Sequence, residues 1–306
     1  MFAVRSETLS WLAVVVLISA CAGPPSSKVL VIGIDGVRPD VLAEVPTPNM
    51  DRLIAEGFFS SEAQTGLPTV SGPGWSSFLI GVWPEKHQVF SNDFTGHAYD
   101  EHQDFLTRIE AVRPELRTFA AADWLPLVTT DAGGPVIGDS PDKKVILDGY
   151  ELGWAQADSQ ITDSAIAELS SGDPDALFVY LGNPDETSHA DGDIGSGYRA
   201  AIADADRQVG RLMDAVRRRS TYGDEDWLVI ISTDHGRRAD GGHGGSSPEE
   251  RTIFFLVSGA SVQHDPAPSP PEIVDVAVTA LIHLGIPLDP AWALDGEAVG
   301  IVEGNQ

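Results

Sequence analysis

Acidic and imidazole side chains recur just after apolar runs in this chain, at spacings that suit a divalent cation. Asp35 closes the run 28–34. Asp185 and His189 follow the run 176–181. Asp234, His235 and, a little later, His243 follow the run 227–232. Carboxylates gathered at one place repel and raise each other's pKa, and a divalent cation removes that conflict. Neutral imidazole mixed with carboxylate suits zinc, whereas carboxylates alone suit magnesium or calcium better. Asp185 and His189 are four residues apart, so one turn of helix or a tight loop points both at the same ion. A nucleophile is at hand in the glycine- and serine-rich segment 66–81. Ser71 stands there at an expected helix start, with Pro73 in the first turn. A helix N-terminus favours an alkoxide or a phosphate. The plainer reading of Ser71 is a helix cap. Thr69 is the rival hydroxyl, and at most it would support the turn.

These residues need a scaffold that brings them together. The runs 28–34, 176–181, 227–232 and 253–257 read as strands buried on both faces. Tyr198, Ile202, Ala205, Val209, Leu212 and Val216 recur at three- and four-residue intervals, which marks one face of a long helix. Arg217, Arg218 and Arg219 close it as a solvated cationic end. Residues 48–57 read as a helix with Thr47 as N-cap, Pro48 at its first position and Gly57 at its end. Residues 273–284 read as another helix. Strands alternating with helices predict an α/β fold, a mostly parallel central sheet with helices on both faces. The strand carboxyl ends are then the binding edge, where three aspartates and three histidines would converge. Residues 93–150 are less regular and are expected as an insertion over the site within a single domain, 28–306.

Lys and Arg total 19 against 46 Asp and Glu, a formal charge of −27. That charge repels a nucleic acid duplex, which binds through cations on the protein. The one cysteine, Cys21, forms no internal disulfide. It follows a ten-residue apolar run, too short to span a bilayer but matching a signal-peptide core. Ile18-Ser19-Ala20-Cys21 resembles a bacterial lipobox. Residues 1–20 are therefore expected as a signal peptide and 21–27 as a lipidated tether. The chain is expected in the bacterial cell envelope, joined to the membrane through Cys21.

The order Asp35-Gly36, Pro68-Thr69-Val70-Ser71, Gly81-Val82-Trp83-Pro84-Glu85-Lys86-His87, Asn92, Asp185 with His189, Asp234-His235-Gly236 and His243 resembles the alkaline phosphatase superfamily. More closely it resembles the nucleotide pyrophosphatase/phosphodiesterase branch. The resemblance spans residues 28–300 and implies an alkaline-phosphatase-like fold with two zinc ions. It implies Asp35, Asp234, His235 and the Ser71 oxygen on one ion, and Asp185, His189 and His243 on the other. Asn92 matches the family asparagine that donates to a phosphate oxygen. The branch usually has Thr as nucleophile, followed by Phe-Pro-Asn, where this chain has Ser71-Gly72-Pro73-Gly74. Its last histidine usually lies far downstream, whereas His243 is eight residues after His235.

The expected activity is metal-dependent hydrolysis of a small phosphodiester or pyrophosphate through a phosphoseryl intermediate. The alternative is a phosphomonoesterase, which would want an extra cation near the phosphate, with Arg38, Arg237 or Arg238 as candidates. Trp75, Phe90, Phe94 and Tyr99 are candidates to stack a base or aryl group, or else belong to the core. A sulfatase would need a Pro and then an Arg after its nucleophile, and the segment 71–75 has no such Arg. A metal-bound surface lipoprotein without catalysis is the reading from a different class.

Overall fold

The structure is a computed structural model and describes Phe2 and residues 25–130, 133–263 and 269–301. The expected leader, Phe2 apart, and Cys21 lie outside the described residues. In chain order the elements are β1 (Ser26–Ile34), α1 (Pro39–Leu42), α2 (Pro48–Ala55), β2 (Gly57–Gln64), α3 (Ser71–Ile80), α4 (Pro84–His87) and α5 (Phe105–Val112). There follow β3 (Thr118–Ala122), β4 (Lys143–Ile146), α6 (Gly149–Leu152), α7 (Trp154–Ser171), β5 (Ala176–Leu181), α8 (Asn183–Asp191) and α9 (Ser196–Arg217). The described chain closes with β6 (Glu225–Ser232), α10 (Pro248–Arg251), β7 (Thr252–Ser258) and α11 (Asp275–His283).

One seven-stranded sheet runs β2-β7-β6-β1-β5-β3-β4. β1 pairs in parallel with β5 on one side and β6 on the other, and β3 and β4 continue in parallel beyond β5. β7 is antiparallel to β6, and β2 to β7. The mostly parallel α/β expectation holds, with the run 253–257 as its antiparallel exception. Successive side chains of a strand point to opposite faces. Val29 and Val31 accordingly enter one core with Trp75, Phe78 and Leu281, while Leu30, Ile32 and Ile34 enter the other with Val209 and Leu212. Helices α3, α5 and α11 cover the first face, and α2, α7 and α9 the second. Among the described residues no helix is long and apolar enough to cross a membrane.

Four sequence expectations change. Residues 93–150 supply β3 and β4 to the sheet itself rather than only an insertion over the site. Ser26 and Ser27, expected in a tether, begin β1 and pair with Glu225 and Asp226. Thr47 makes no side-chain cap to α2; its hydroxyl meets Asp51 at 3.2 Å, and the first-turn N–H groups of Asn49 and Met50 are met by buried Asp206. Arg219 is not a solvated end. It folds onto Glu225, donating from Nε at 2.9 Å, and lies over the Trp227 ring.

Candidate active site

The ligand-type residues meet because of strand order. β6, β1 and β5 are adjacent and parallel, with neighbours about 4.8 Å apart in such a sheet. Their carboxyl ends release Asp234-His235, Asp35 and the start of α8 side by side. The carboxyl ends of parallel strands are the usual ligand-binding edge of an open α/β sheet. Asp185 and His189 lie on one face of α8, with His189 Nε2 3.2 Å from Asp185 Oδ2. The loop after β6 returns His243 to the same place. His243 Nε2 is 2.9 Å from His189 Nε2 and 3.8 Å from Asp185 Oδ1. The His235 and His243 rings stack with centroids 3.8 Å apart.

Two groups are compact enough to hold a cation: Asp185, His189 and His243, and Asp35, Asp185 and His235. The first is the set expected from sequence. In the second, Asp185 is shared, where the resemblance placed it with His189 and His243 alone. Asp234 stands beside that group, its Oδ2 3.3 Å from His235 Nε2, while its Oδ1 accepts from the Gly36 N–H at 3.2 Å. Asp35 Oδ1 and Asp234 Oδ2 are both buried without a hydrogen-bond partner. Buried carboxylate oxygens are nearly always paired or bound to metal. These two flank the His235 Nε2, at 3.6 and 3.3 Å. The residues therefore fit divalent cations.

Neighbouring groups fix the ligands. His235 Nδ1 lies 2.9 Å from the Gly236 carbonyl and His243 Nδ1 2.8 Å from that of Thr69. A carbonyl only accepts, so each Nδ1 carries the proton and each Nε2 keeps its lone pair for a metal. Burial lowers the pKa of His235 and takes His243 down to about 2, helped there by the His235 ring, so both imidazoles are neutral. Burial and the nearby Asp35 raise the Asp234 carboxyl well above its ordinary range. Asp35 Oδ2 accepts from Trp75 Nε1 at 2.9 Å and Tyr180 Oη at 2.7 Å. Gly36 turns the chain at φ 65°, and a Cβ there would meet Asp185 Oδ1 at 2.4 Å, so glycine is required.

Ser71 is the first residue of α3 and not its cap, which is Val70. Its Oγ lies 3.3 Å from His235 Nε2, beside the second metal group. Thr69, the rival hydroxyl, is turned away and engaged with the loop after His243. Asn92 is brought in from the loop after α4. Its Oδ1 accepts from the Gly72 N–H at 2.7 Å, which seats the carboxamide next to Ser71.

The three arginine candidates are all occupied. Arg237 is fully buried; it donates from Nε to Gly36 O and from Nη1 to Gly241 O, and its Nη2 meets Asp185. Arg38 pairs with Asp40, and Arg238 with Glu250. Of the aromatic candidates, Trp75 and Phe94 are core residues, Tyr99 is half-buried with its hydroxyl 2.7 Å from Ser76, and Phe90 alone is exposed. Sequence reasoning missed the two donors to Asp35, and it missed Tyr150, an exposed ring that donates to Glu186 beside Asp185. It also missed Asp123. This residue follows β3 as Asp35 follows β1, and recognition of the alanine-rich β3 would have exposed it.

Such a sheet, with aspartate and histidine gathered at its carboxyl edge, has the architecture of the alkaline phosphatase superfamily. The profile of type I phosphodiesterase / nucleotide pyrophosphatase matches residues 29–239, and the chain belongs to that family. It is 23% identical over 257 residues to ectonucleotide pyrophosphatase/phosphodiesterase family member 7 of Rattus norvegicus, covering 76% of this chain and 56% of that protein. It is 26% identical over 237 residues to bis(5'-adenosyl)-triphosphatase ENPP4 of Bos taurus, covering 71% and 49%. The chain thus spans about half the length of these curated relatives. Among solved structures, murine ectonucleotide pyrophosphatase/phosphodiesterase 5 superposes with a TM-score of 0.65 at 18% identity, covering 89% of this chain and 97% of that one. A 2-O GAG sulfatase superposes at 0.72 and 14% identity, covering 90% and 73%. At these identities the two superpositions speak to the fold alone.

Proposed function

We propose that the chain hydrolyses small phosphodiesters or pyrophosphates, with Ser71 as nucleophile and two divalent ions, zinc by ligand type, as cofactors. The observation that carries this reading is the placement of the Ser71 oxygen at the edge of the Asp35–Asp185–His235 group, at the N-terminal end of α3. Bound there, the ions supply positive charge that favours the serine alkoxide and stabilises the transferring phosphoryl group. The helix end acts in the same direction on the Ser71 oxygen. That oxygen forms the new bond to phosphorus as the bond to the leaving oxygen breaks, and the second ester group stays on phosphorus. Water then cleaves the Ser71 ester, restores the hydroxyl and releases a monoester. Asn92, held through its oxygen by Gly72, presents its amide N–H to a phosphate oxygen.

Diester is preferred to monoester on charge. A dianionic monoester wants a free cation, and Arg38, Arg237 and Arg238 are each committed to protein partners. The related murine enzyme 5 has been solved as an inactive variant in complex with AMP, which fits a nucleotide-like substrate here. The lipobox-like run before Cys21 supports a lipid-anchored envelope location for the mature chain. The test is turnover of bis-p-nitrophenyl phosphate, p-nitrophenyl phosphate and p-nitrophenyl sulfate by the purified chain. The diester should be fastest. A faster monoester or sulfate would reassign the substrate class, and inertness to all three with zinc present would leave the non-catalytic reading.

A further inference from the structure

We propose that Thr69 is a positioning residue, one that locks His243 into the frame of Ser71 and so sets the affinity of the Asp185–His189–His243 group for its ion. The proposal rests on the metal-dependent reading above. Thr69 is buried and makes three bonds to three consecutive residues. Its carbonyl accepts from His243 Nδ1 at 2.8 Å. Its Oγ1 accepts from the Gly244 N–H at 3.0 Å and donates to Gly245 O at 2.9 Å. The hydroxyl both donates and accepts within this loop, which gives it a task other than attack on phosphorus.

That task follows from chain connectivity. Thr69 lies two residues before Ser71, while His243 sits 174 positions away on a glycine-flanked loop with little stiffness of its own. The carbonyl bond fixes the His243 tautomer, leaving Nε2 to face His189 and Asp185. The two hydroxyl bonds fix the backbone just past His243, so the ring cannot swing about that tautomer-setting contact. Glu250 braces the same loop from the other side, through the N–H groups of Gly245 and Ser247. Partners behind a metal-ligating histidine typically change metal affinity by about 10–100-fold.

Thr69→Val keeps the shape and the main-chain carbonyl but removes the hydroxyl; Thr69→Ala removes the hydroxyl and the γ-methyl together; Thr69→Ser keeps the hydroxyl. Zinc titration of the metal-stripped chain against a chromophoric chelator gives two affinities for the wild type. In Thr69→Val and Thr69→Ala, one site is expected to weaken by about 10–100-fold and the other to stay within about threefold. Thr69→Ser should bind like wild type. A general loss of packing would weaken both sites and would not be rescued by serine. The proposal is overturned if the valine and alanine variants bind both ions as tightly as wild type, or if Thr69→Ser weakens as they do. A weakened Thr69→Ser overturns it even if the other two variants do not fold. Should the wild type bind no zinc, nickel or manganese, the metal reading itself falls and this proposal with it.

Discussion

At the residue scale the site depends on small numbers of directed bonds. The Asn92 amide is oriented by one bond, from the Gly72 N–H to Oδ1. Asn92→Ala should lower kcat/KM for a diester by about 10–100-fold, the range of a hydrogen bond to a charged group of about 1.5–3 kcal/mol. Asn92→Asp should be at least as damaging, because it sets a negative charge against the phosphate. Steady-state kinetics at saturating zinc checks both. The Trp75 indole N–H acts at one remove, on Asp35 Oδ2. Trp75→Phe keeps most of the ring's packing and deletes that donor. It should weaken zinc binding by about 10-fold or more while the chain stays folded, read by metal titration alongside circular dichroism. An unchanged zinc affinity would show that the Tyr180 hydroxyl alone suffices to hold Asp35.

At the scale of elements, the start of α8 is tied to a second pair of acids. Asp158 on α7 accepts from the Gly182 N–H at 2.9 Å, at the entry to the helix that carries Asp185 and His189. Asp123 faces it with both oxygens buried and without a donor. Burial and the facing Asp158 push the Asp123 carboxyl well up, and burial takes Asp158 up to about 7 although the Gly182 and Asn183 N–H groups hold it down. A raised carboxyl binds its proton more tightly folded than unfolded, so the stabilisation is complete below about pH 4 and lost as pH rises through about 7. Asp123→Asn supplies a permanent N–H donor to Asp158. It should gain about 2–4 °C in Tm over wild type at pH 8, with the gain shrinking toward pH 5. A Tm difference independent of pH would mean that the two acids share no proton. The sequence could not announce this pair. β3 is Thr-Phe-Ala-Ala-Ala, without the run of large apolar residues that marks β1, β5 and β6, and β4 is four residues of mixed polarity. By contrast the three ligand-bearing strands were legible, since strands buried on both faces are apolar throughout. Hence Asp35, Asp185, His189, Asp234, His235 and His243 could be assigned to one edge, while Tyr180 was hidden as an ordinary core residue and Trp75 stood only among the candidates to stack a base or belong to the core. The arginines stayed open for the same reason: burial and pairing are invisible in sequence, so Arg237 beside Asp234-His235 could be named only as a candidate.

For the whole molecule, the proposed envelope location rests on the lipobox-like run that ends at Cys21. Cys21→Ala should move the chain from the detergent phase to the aqueous phase in phase partitioning of expressing cells. Equal partitioning of variant and wild type would remove the anchor. The central claim is that this fold transfers a phosphoryl group to Ser71, and the most direct measurement is the mass of the acid-quenched protein during turnover of bis-p-nitrophenyl phosphate. The account predicts an adduct of one p-nitrophenyl phosphoryl group, mapped by peptide sequencing to Ser71 and lost in Ser71→Ala together with several powers of ten in kcat, each worth about 1.4 kcal/mol of barrier. An adduct on Thr69, or near-normal turnover by Ser71→Ala, would contradict it.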